Sequence, residues 1–340
     1  MFLIILFFVA LVLSSLKKNS VNIQQTLSSS ISQSLRGISA VEIMLGHIGI
    51  ATQSVFLYAN RKAGILFVGI FFMLSGYGLI YSLNNKPNYI NNFLKKRMCR
   101  IFFPAYIVYI VFLFIELCQG ERNCTFISAM KYIFLGDFAN GYRWYVVEII
   151  GIYLVFRILY QRFSIHYANI IFLMISMTFT ICAFILRLEN PWYGSMLCFN
   201  VGLFYGEYTK EINEYFQRNF WLKNIFCIFI TLLGIGGFFI CGETFWGNVV
   251  FRNIASVFWI FWLISVLQKV SIHSPLSIFL GRISYEIYLV HPMVIILLKD
   301  ISDPFLFSII CIIISLMCAW ILHKIPFDRL YFARREIRTD

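Results

Sequence analysis

Apolar residues run along this chain in long unbroken blocks separated by short polar and charged connections. Eleven such blocks are read near residues 2–16, 37–58, 63–83, 101–118, 143–160, 168–187, 191–208, 223–241, 248–267, 279–298 and 304–323. Most approach the ~20 residues that a helix needs to cross a hydrocarbon core of ~30 Å. Continuous apolar runs, rather than strict alternation, exclude a transmembrane barrel. The expected fold is therefore all-α: a polytopic transmembrane helix bundle of ten helices preceded by one extra N-terminal helix. The first block lacks a basic leading region and is followed by Lys17 and Lys18. A cleaved signal peptide has the opposite polarity, so this helix is read as retained, with its N-terminus outside. Residues 19–34, rich in Ser, Gln and Asn, read as a linker. The expected division is 1–34 as helix and linker, 35–323 as the main transmembrane domain, and 324–340 as a basic cytoplasmic tail.

Composition and charge sharpen this picture. The chain is 60% hydrophobic and only 13% charged, against ~25% charged for a typical soluble domain. Its net charge of +12 does not point to nucleic acid, because the basic residues gather in a few connections and the C-terminal tail. Lys86, Lys95, Lys96, Arg97 and Arg100 share one connection, Arg157 and Arg162 another, and Lys210, Arg218 and Lys223 a third. With eleven spans these all fall on one side, which predicts an inner or plasma membrane protein with its C-terminus in the cytoplasm. The nine cysteines show no metal-type spacing, so no metal is expected. Cys118 and Cys124 flank an expected outer loop; a disulfide and two free thiols both remain open.

Candidate chemistry begins with Arg36 and His47, which ten residues separate within one apolar segment. Eleven steps of 100° return to nearly the same helical face and advance roughly 16 Å along the axis. With Arg36 at the membrane surface, His47 lies near the midplane, where a titratable side chain is costly without a task or a partner. Glu42 lies about 120° around the helix from Arg36 and is expected to face another neighbour. In Phe71-Phe72-Met73-Leu74-Ser75-Gly76-Tyr77-Gly78, the small Ser75, Gly76 and Gly78 let a helix or a ligand chain approach closely. Four cations within Lys95-Lys96-Arg97-Met98-Cys99-Arg100 stand at a helix start. Arg97 and Arg100, one turn apart, suit a phosphate-bearing ligand. Ser284, Tyr288 and His291 share a face at i, i+4 and i+7, and His291 precedes Pro292, which frees a backbone carbonyl. Among the remaining acids, Glu148, beside Trp144 and Tyr145, is the candidate for binding on the outer side. Glu116 is expected to be solvated, and Glu286 to pair with Arg282.

Five ordered elements carry a resemblance: Leu35-Arg36-Gly37-Ile38 with His47, Phe71-Phe72-Met73-Leu74-Ser75-Gly76, the Phe93–Arg100 stretch, Trp144-Tyr145, and Leu280-Gly281-Arg282-Ile283-Ser284-Tyr285 with His291-Pro292. Over roughly residues 33–323 the chain resembles acyltransferase family 3, whose members move acyl groups, usually acetyl, from cytoplasmic acyl-CoA to sugars of surface polysaccharides and related glycans. The resemblance implies ten helices, Arg36 and His47 as essential residues, and Arg97 and Arg100 near the CoA. It departs in two places: Gln33 stands where members often carry an acid, and the helix at 2–16 precedes the usual start. No hydrolase-like domain is expected after the last helix, so transfer is expected of the membrane unit itself or of a separate partner.

The resulting expectation is an O-acyltransferase with acetyl-CoA as co-substrate and a glycan hydroxyl, on a free or lipid-linked acceptor, as the second substrate. His47 and Arg36 are its catalytic residues, and Arg97, Arg100, Ser75 and Gly76 hold the donor. Glu148, Trp144, Tyr288 and His291 hold the acceptor, with His47 and His291 lining one cavity. His47 serves either as general base or as transient acyl carrier. Membrane lipids and polysaccharide-assembly proteins are the further partners. Two other readings stand beside it: a transporter or flippase of a glycan intermediate with a histidine proton relay, and an inert scaffold of a glycan-export complex.

Overall fold

The computed structural model describes residues 2–18, 26–55, 57–91, 93–118, 125 and 144–326. Among them the chain is almost entirely helical, with thirteen α-helices. In chain order these are α1 (Phe2–Ser15), α2 (Ser29–Thr52), α3 (Tyr58–Asn85), α4 (Phe93–Cys118), α5 (Trp144–Arg162), α6 (Ile165–Ile185) and α7 (Leu197–Glu207). They continue as α8 (Thr209–Gln217), α9 (Phe220–Cys241), α10 (Arg252–Leu267), α11 (Pro275–Arg282), α12 (Ser284–Leu297) and α13 (Pro304–His323). Two compact units result: Met1–Tyr89 with Ile158–Ser284, and Ile90–Arg157 with Tyr285–Asp340.

Several helices begin before their apolar run. Ser28 caps α2, accepting a hydrogen bond from the Ile31 amide at 3.4 Å, so residues 29–34 are helical rather than linker. The stretch 93–100 likewise forms the first two turns of α4, so its cations ride on a helix and not in a loop. Asp303 caps α13 through the Leu306 amide at 2.6 Å, with Pro304 at the first helical position, where its missing N–H costs nothing.

Among the described residues, seven helices are long and apolar enough to cross a membrane: Lys62–Asn85, Phe93–Cys118, Trp144–Arg162, Ile165–Ile185, Phe220–Cys241, Trp246–Leu267 and Pro304–His323. Pro275–Arg282 with Ser284–Leu297 makes an eighth if the pair is one broken span. The eleven expected spans are thus reduced, for physical reasons. The 14 residues of α1 rise only ~21 Å. The block at 191–208 is broken by a 3₁₀ turn at Asn190–Trp192, leaving the 11-residue α7. Helix α2 is long enough at 24 residues, but its Ser-rich start and its Arg36, Glu42 and His47 dilute its apolar character.

In the first unit, backbone-to-backbone packing sets the geometry. A Cβ on Gly76 would lie 2.3 Å from the Phe199 carbonyl oxygen, and one on Gly202 would lie 2.1 Å from that of Met73. Only glycine lets α3 and α7 meet this closely, as small-residue helix pairs do in membranes. Polar side chains add glue: Asn224 donates to Ser265 at 2.8 Å, and Gln268 to Asn213 at 2.5 Å. The apolar pattern predicts no strands, yet Leu16–Lys18 pairs antiparallel with Val270–Ile272, and Ser15 Oγ lies 3.0 Å from Ser274 Oγ. The second unit is joined by rings and single hydrogen bonds. Phe93 packs on Tyr153 and Phe156, Tyr145 meets Tyr288, and Tyr285 donates to the Ile101 carbonyl at 2.7 Å.

Candidate functional site

Helix α2 carries Arg36 and His47, both half-buried. The helix is fixed at Gly37, where a Cβ would stand 2.4 Å from the Ser277 carbonyl oxygen and 2.6 Å from the Gly281 amide nitrogen. Reciprocally, a Cβ on Gly281 would lie 1.9 Å from the carbonyl oxygen of Gln33. Two motifs far apart in sequence, Leu35-Arg36-Gly37 and Leu280-Gly281-Arg282, therefore cross with their backbones in contact. A line of hydroxyls secures the crossing: Ser277 donates to Ser34 at 3.0 Å and also joins Ser274 in a capping box. Arg36 is thereby seated at a rigid junction rather than on a free helix end.

Glu42 faces away from Arg36, as the helical spacing requires. It is buried and accepts a hydrogen bond from Asn60 Nδ2 at 2.6 Å, tying α2 to α3. Ser39, one turn beyond Arg36 and toward the same side, is fully buried, and its hydroxyl has no hydrogen-bond partner among the described residues. In the sequence, the i+3 spacing of Ser39 from Arg36 is the one signal of this placement. A buried hydroxyl without a partner costs about 1–3 kcal/mol, so it marks a place where another group belongs.

In the second unit, Arg97 stands over the Tyr153 ring at 5.5 Å and the Phe93 ring at 6.0 Å. Arg97 is half-buried and Arg100 is exposed. The aromatic contact pre-orients one guanidinium, while the next turn presents a second cation to solvent. Toward the start of α5, Trp144 is buried and packs on Tyr145, whose ring meets Tyr288 at 5.1 Å; Tyr288 in turn meets His291 at 6.1 Å. Of the expected acceptor residues, Trp144, Tyr288 and His291 thus fall in one run of neighbouring rings, with Tyr145 between Trp144 and Tyr288.

His291 is fully buried, with Nδ1 2.8 Å from the Ile287 carbonyl oxygen. A carbonyl only accepts, so Nδ1 donates, and the lone pair of the neutral ring resides on Nε2. Glu148 is 5% exposed, and neither carboxylate oxygen has a hydrogen-bond partner among the described residues. Two acids differ from expectation. Glu116 is buried, 5% exposed, instead of solvated. Glu286 pairs with His323 at 2.9 Å rather than with Arg282, because α13 brings that imidazole against it. Gly76 is occupied in helix packing, whereas Ser75 is half-buried beside it and nothing lies within 4 Å of a Cβ on Gly78. Cys124 lies outside the described residues, so the Cys118–Cys124 question does too. No group of three or more metal-ligating side chains occurs among the described residues.

Long apolar helices, crossing glycines and buried acids such as Glu42 and Glu148 together define a multi-pass membrane protein. The family model of the acyltransferase domain of acyltransferase family 3 matches residues 32–324, and the chain belongs to that family. It is a membrane acyltransferase. No curated protein and no solved structure matches the chain.

Proposed function

We propose that the protein is an O-acyltransferase that moves a short acyl group, acetyl in the first instance, from cytoplasmic acyl-CoA to a hydroxyl of a cell-surface or exopolysaccharide sugar. The carrying observation is the polar face of α2, on which Arg36, Ser39 and His47 sit beside a glycine-fixed crossing. Family membership supports an enzyme over a transporter or an inert scaffold.

His47 serves as general base. It takes the proton of the acceptor hydroxyl while that oxygen attacks the thioester carbonyl carbon; the C–S bond then breaks and CoA leaves as the thiol after taking up a proton. In the alternative course the imidazole itself accepts the acyl group and passes it on. Arg36 supplies positive charge where the carbonyl oxygen gains negative charge. Of the two histidines, His47 is favoured for this work because it shares its helix face with Arg36 and Ser39. Arg97, held against aromatic rings, and Arg100 suit the CoA phosphates. Ser75 remains with the donor, while Gly76 is left out because helix backbone fills the space before it. Glu148, Trp144, Tyr288 and His291 suit a sugar, whose hydroxyls bond readily to a carboxylate and whose C–H face stacks on rings. The protein is assigned to the plasma or inner membrane with the Arg97 and Arg100 end inside.

Purified protein given acetyl-CoA labelled in the acetyl group tests this: the enzyme consumes label, while a transporter or scaffold leaves it on CoA. Mixing the protein with labelled acetyl-CoA in the absence of acceptor separates the two courses, since only an acyl-carrying His47 releases one equivalent of CoA before the acceptor is added. Loss of ester groups from the surface polysaccharide of a deletion strain identifies the acceptor.

A further inference from the structure

The family domain, matched over residues 32–324, leaves α1 and Leu16–Lys18 outside it. This leading segment is nevertheless built into the junction that carries Arg36. Ile4 and Leu11 bury one side of α1, while Leu6, Val9 and Leu13 on its other side are exposed. At its end, Leu16, Lys17 and Lys18 pair with Ile272, Ser271 and Val270, and the His273 amide donates to the Ser15 carbonyl at 2.7 Å. The next residue, Ser274, is the cap of α11. The segment thus ends against the helix whose Ser277 and Gly281 meet Gly37.

The hydroxyls at this place form a run of fixed direction, because each serine has one proton to give. Ser15 gives its proton to the Leu11 carbonyl at 2.8 Å. In the 3.0 Å contact between Ser15 and Ser274, Ser15 is therefore the acceptor and Ser274 the donor. Ser274 Oγ accepts from the Ser277 amide at 3.1 Å. Ser277 shares its own proton between Ser34 Oγ at 3.0 Å and the Ser274 carbonyl at 3.1 Å. Ser15, Ser34 and Ser277 are fully buried and Ser274 is buried, so water does not replace a missing partner. Without the Ser15 oxygen, the Ser274 proton is left with Ser277 Oγ at 2.9 Å, the group that holds Ser34. Ser34 stands two residues before Arg36, whose Nε is buried. A second tie secures the same helix start: Thr26 Oγ1 accepts from Asn213 at 3.2 Å, and Asn213 accepts in turn from Gln268 at 2.5 Å and Tyr205 at 2.9 Å.

We propose that residues 2–18 are a brace that sets the position of Arg36, with Ser15 and Ser34 as positioning residues at the two ends of one hydroxyl run. A helix that only filled space against α2 would act through its buried apolar side chains, Ile4 and Leu11, and not through one hydroxyl. The functional consequence rests on the reading of Arg36 as the charge that meets the thioester carbonyl oxygen, so the test has an arm that needs no acyl donor.

NMR of the full chain carrying nitrogen-labelled arginine gives that arm; the Nε–H signal of Arg36 is identified by its loss in Arg36→Lys. Ser15→Ala and Ser34→Ala should each displace this signal, and two ends of the run guard against one variant failing to fold. The double variant should move it no further than the larger single change, because one break already interrupts the run. Ile4→Ala, roughly 16 Å from Ser15 along α1, should lower the melting temperature and leave the signal in place. With labelled acetyl-CoA, Ser15→Ala should lower kcat roughly 3- to 10-fold, the worth of one net hydrogen bond, with KM for acetyl-CoA unchanged. A signal that stays in place in the folded serine variants, additive displacements in the double variant, or an equal displacement in Ile4→Ala would overturn the brace. An unchanged kcat beside a displaced signal would overturn the positioning role. A wild type inert toward acetyl-CoA, with the signals displaced as expected, would count against the donor assignment and leave the brace standing.

Discussion

The two units solve the problem of packing helices in a membrane by different means. In the first, glycine brings backbones into contact, at Gly37 with Gly281 and at Gly76 with Gly202, and polar pairs such as Asn224–Ser265 lock the neighbours. In the second, the one glycine among the described residues is Gly151, and nothing lies within 4 Å of a Cβ placed there. Its helices are joined through rings, and it buries Glu148 with no hydrogen-bond partner among the described residues. Hydrocarbon supplies little drive for helices to associate, so close van der Waals contact has to supply it. The first unit is built on that principle and fixes Arg36 and His47 on a rigid helix. The second buries Glu148 among helices joined by rings, the region proposed above to meet the acceptor.

The largest test of this contrast is Gly281→Val. Its side chain would strike the Gln33 backbone, and about 3 kcal/mol of stability or more should be lost, seen as a collapse of monodisperse protein in fluorescence-detected size exclusion. Full retention of the folded peak would mean that the crossing is not rigid. Arg97→Ala comes next. Loss of a charge-assisted phosphate contact costs about 1.5–3 kcal/mol, or roughly 10- to 150-fold in acyl-CoA affinity, while Lys95→Ala should change affinity far less. Equal small effects at both positions would reduce the cluster to a topology signal. Glu148→Leu should act in the opposite sense on stability, raising it by about 1–3 kcal/mol as a buried unanswered carboxylate disappears, while transfer falls. A thermal melt and a turnover assay on the same sample read both, and destabilisation would show that Glu148 is held by protein groups. Smallest is Gly151→Ala, which meets open space and gains about 0.5–1 kcal/mol of helix preference. A clear loss in the melt would place an unrecognised contact there.

Much of this was legible in the sequence. Apolar blocks located the helices, and eleven-residue spacing put Arg36 and His47 on one face because 100° per residue is a local rule. The separation of Glu42 from Arg36 followed from the same rule. Legibility ended where geometry depends on distant residues. That Gly37 meets Gly281, that Glu286 meets His323 instead of Arg282, and that Leu16–Lys18 finds Val270–Ile272 are pairings between segments far apart in the chain, with no local trace. Helix starts were missed where a cap outweighs hydropathy, as Ser28 does for α2. Span counting failed at Asn190–Trp192, because hydropathy registers how apolar a stretch is and not whether its helix is broken. Gly76 showed the same limit: its smallness was visible, but not whether a ligand or α7 would fill the space.

The central claim rests on one imidazole. Transfer of labelled acetyl from acetyl-CoA by purified wild type and by His47→Ala, compared at equal amounts of monodisperse protein, tests it most directly. A positioned acid–base group contributes about 10²- to 10⁴-fold, so the variant should fall at least a hundredfold while eluting and melting as the wild type does. Turnover within a few-fold of wild type by a folded His47→Ala protein would contradict the account.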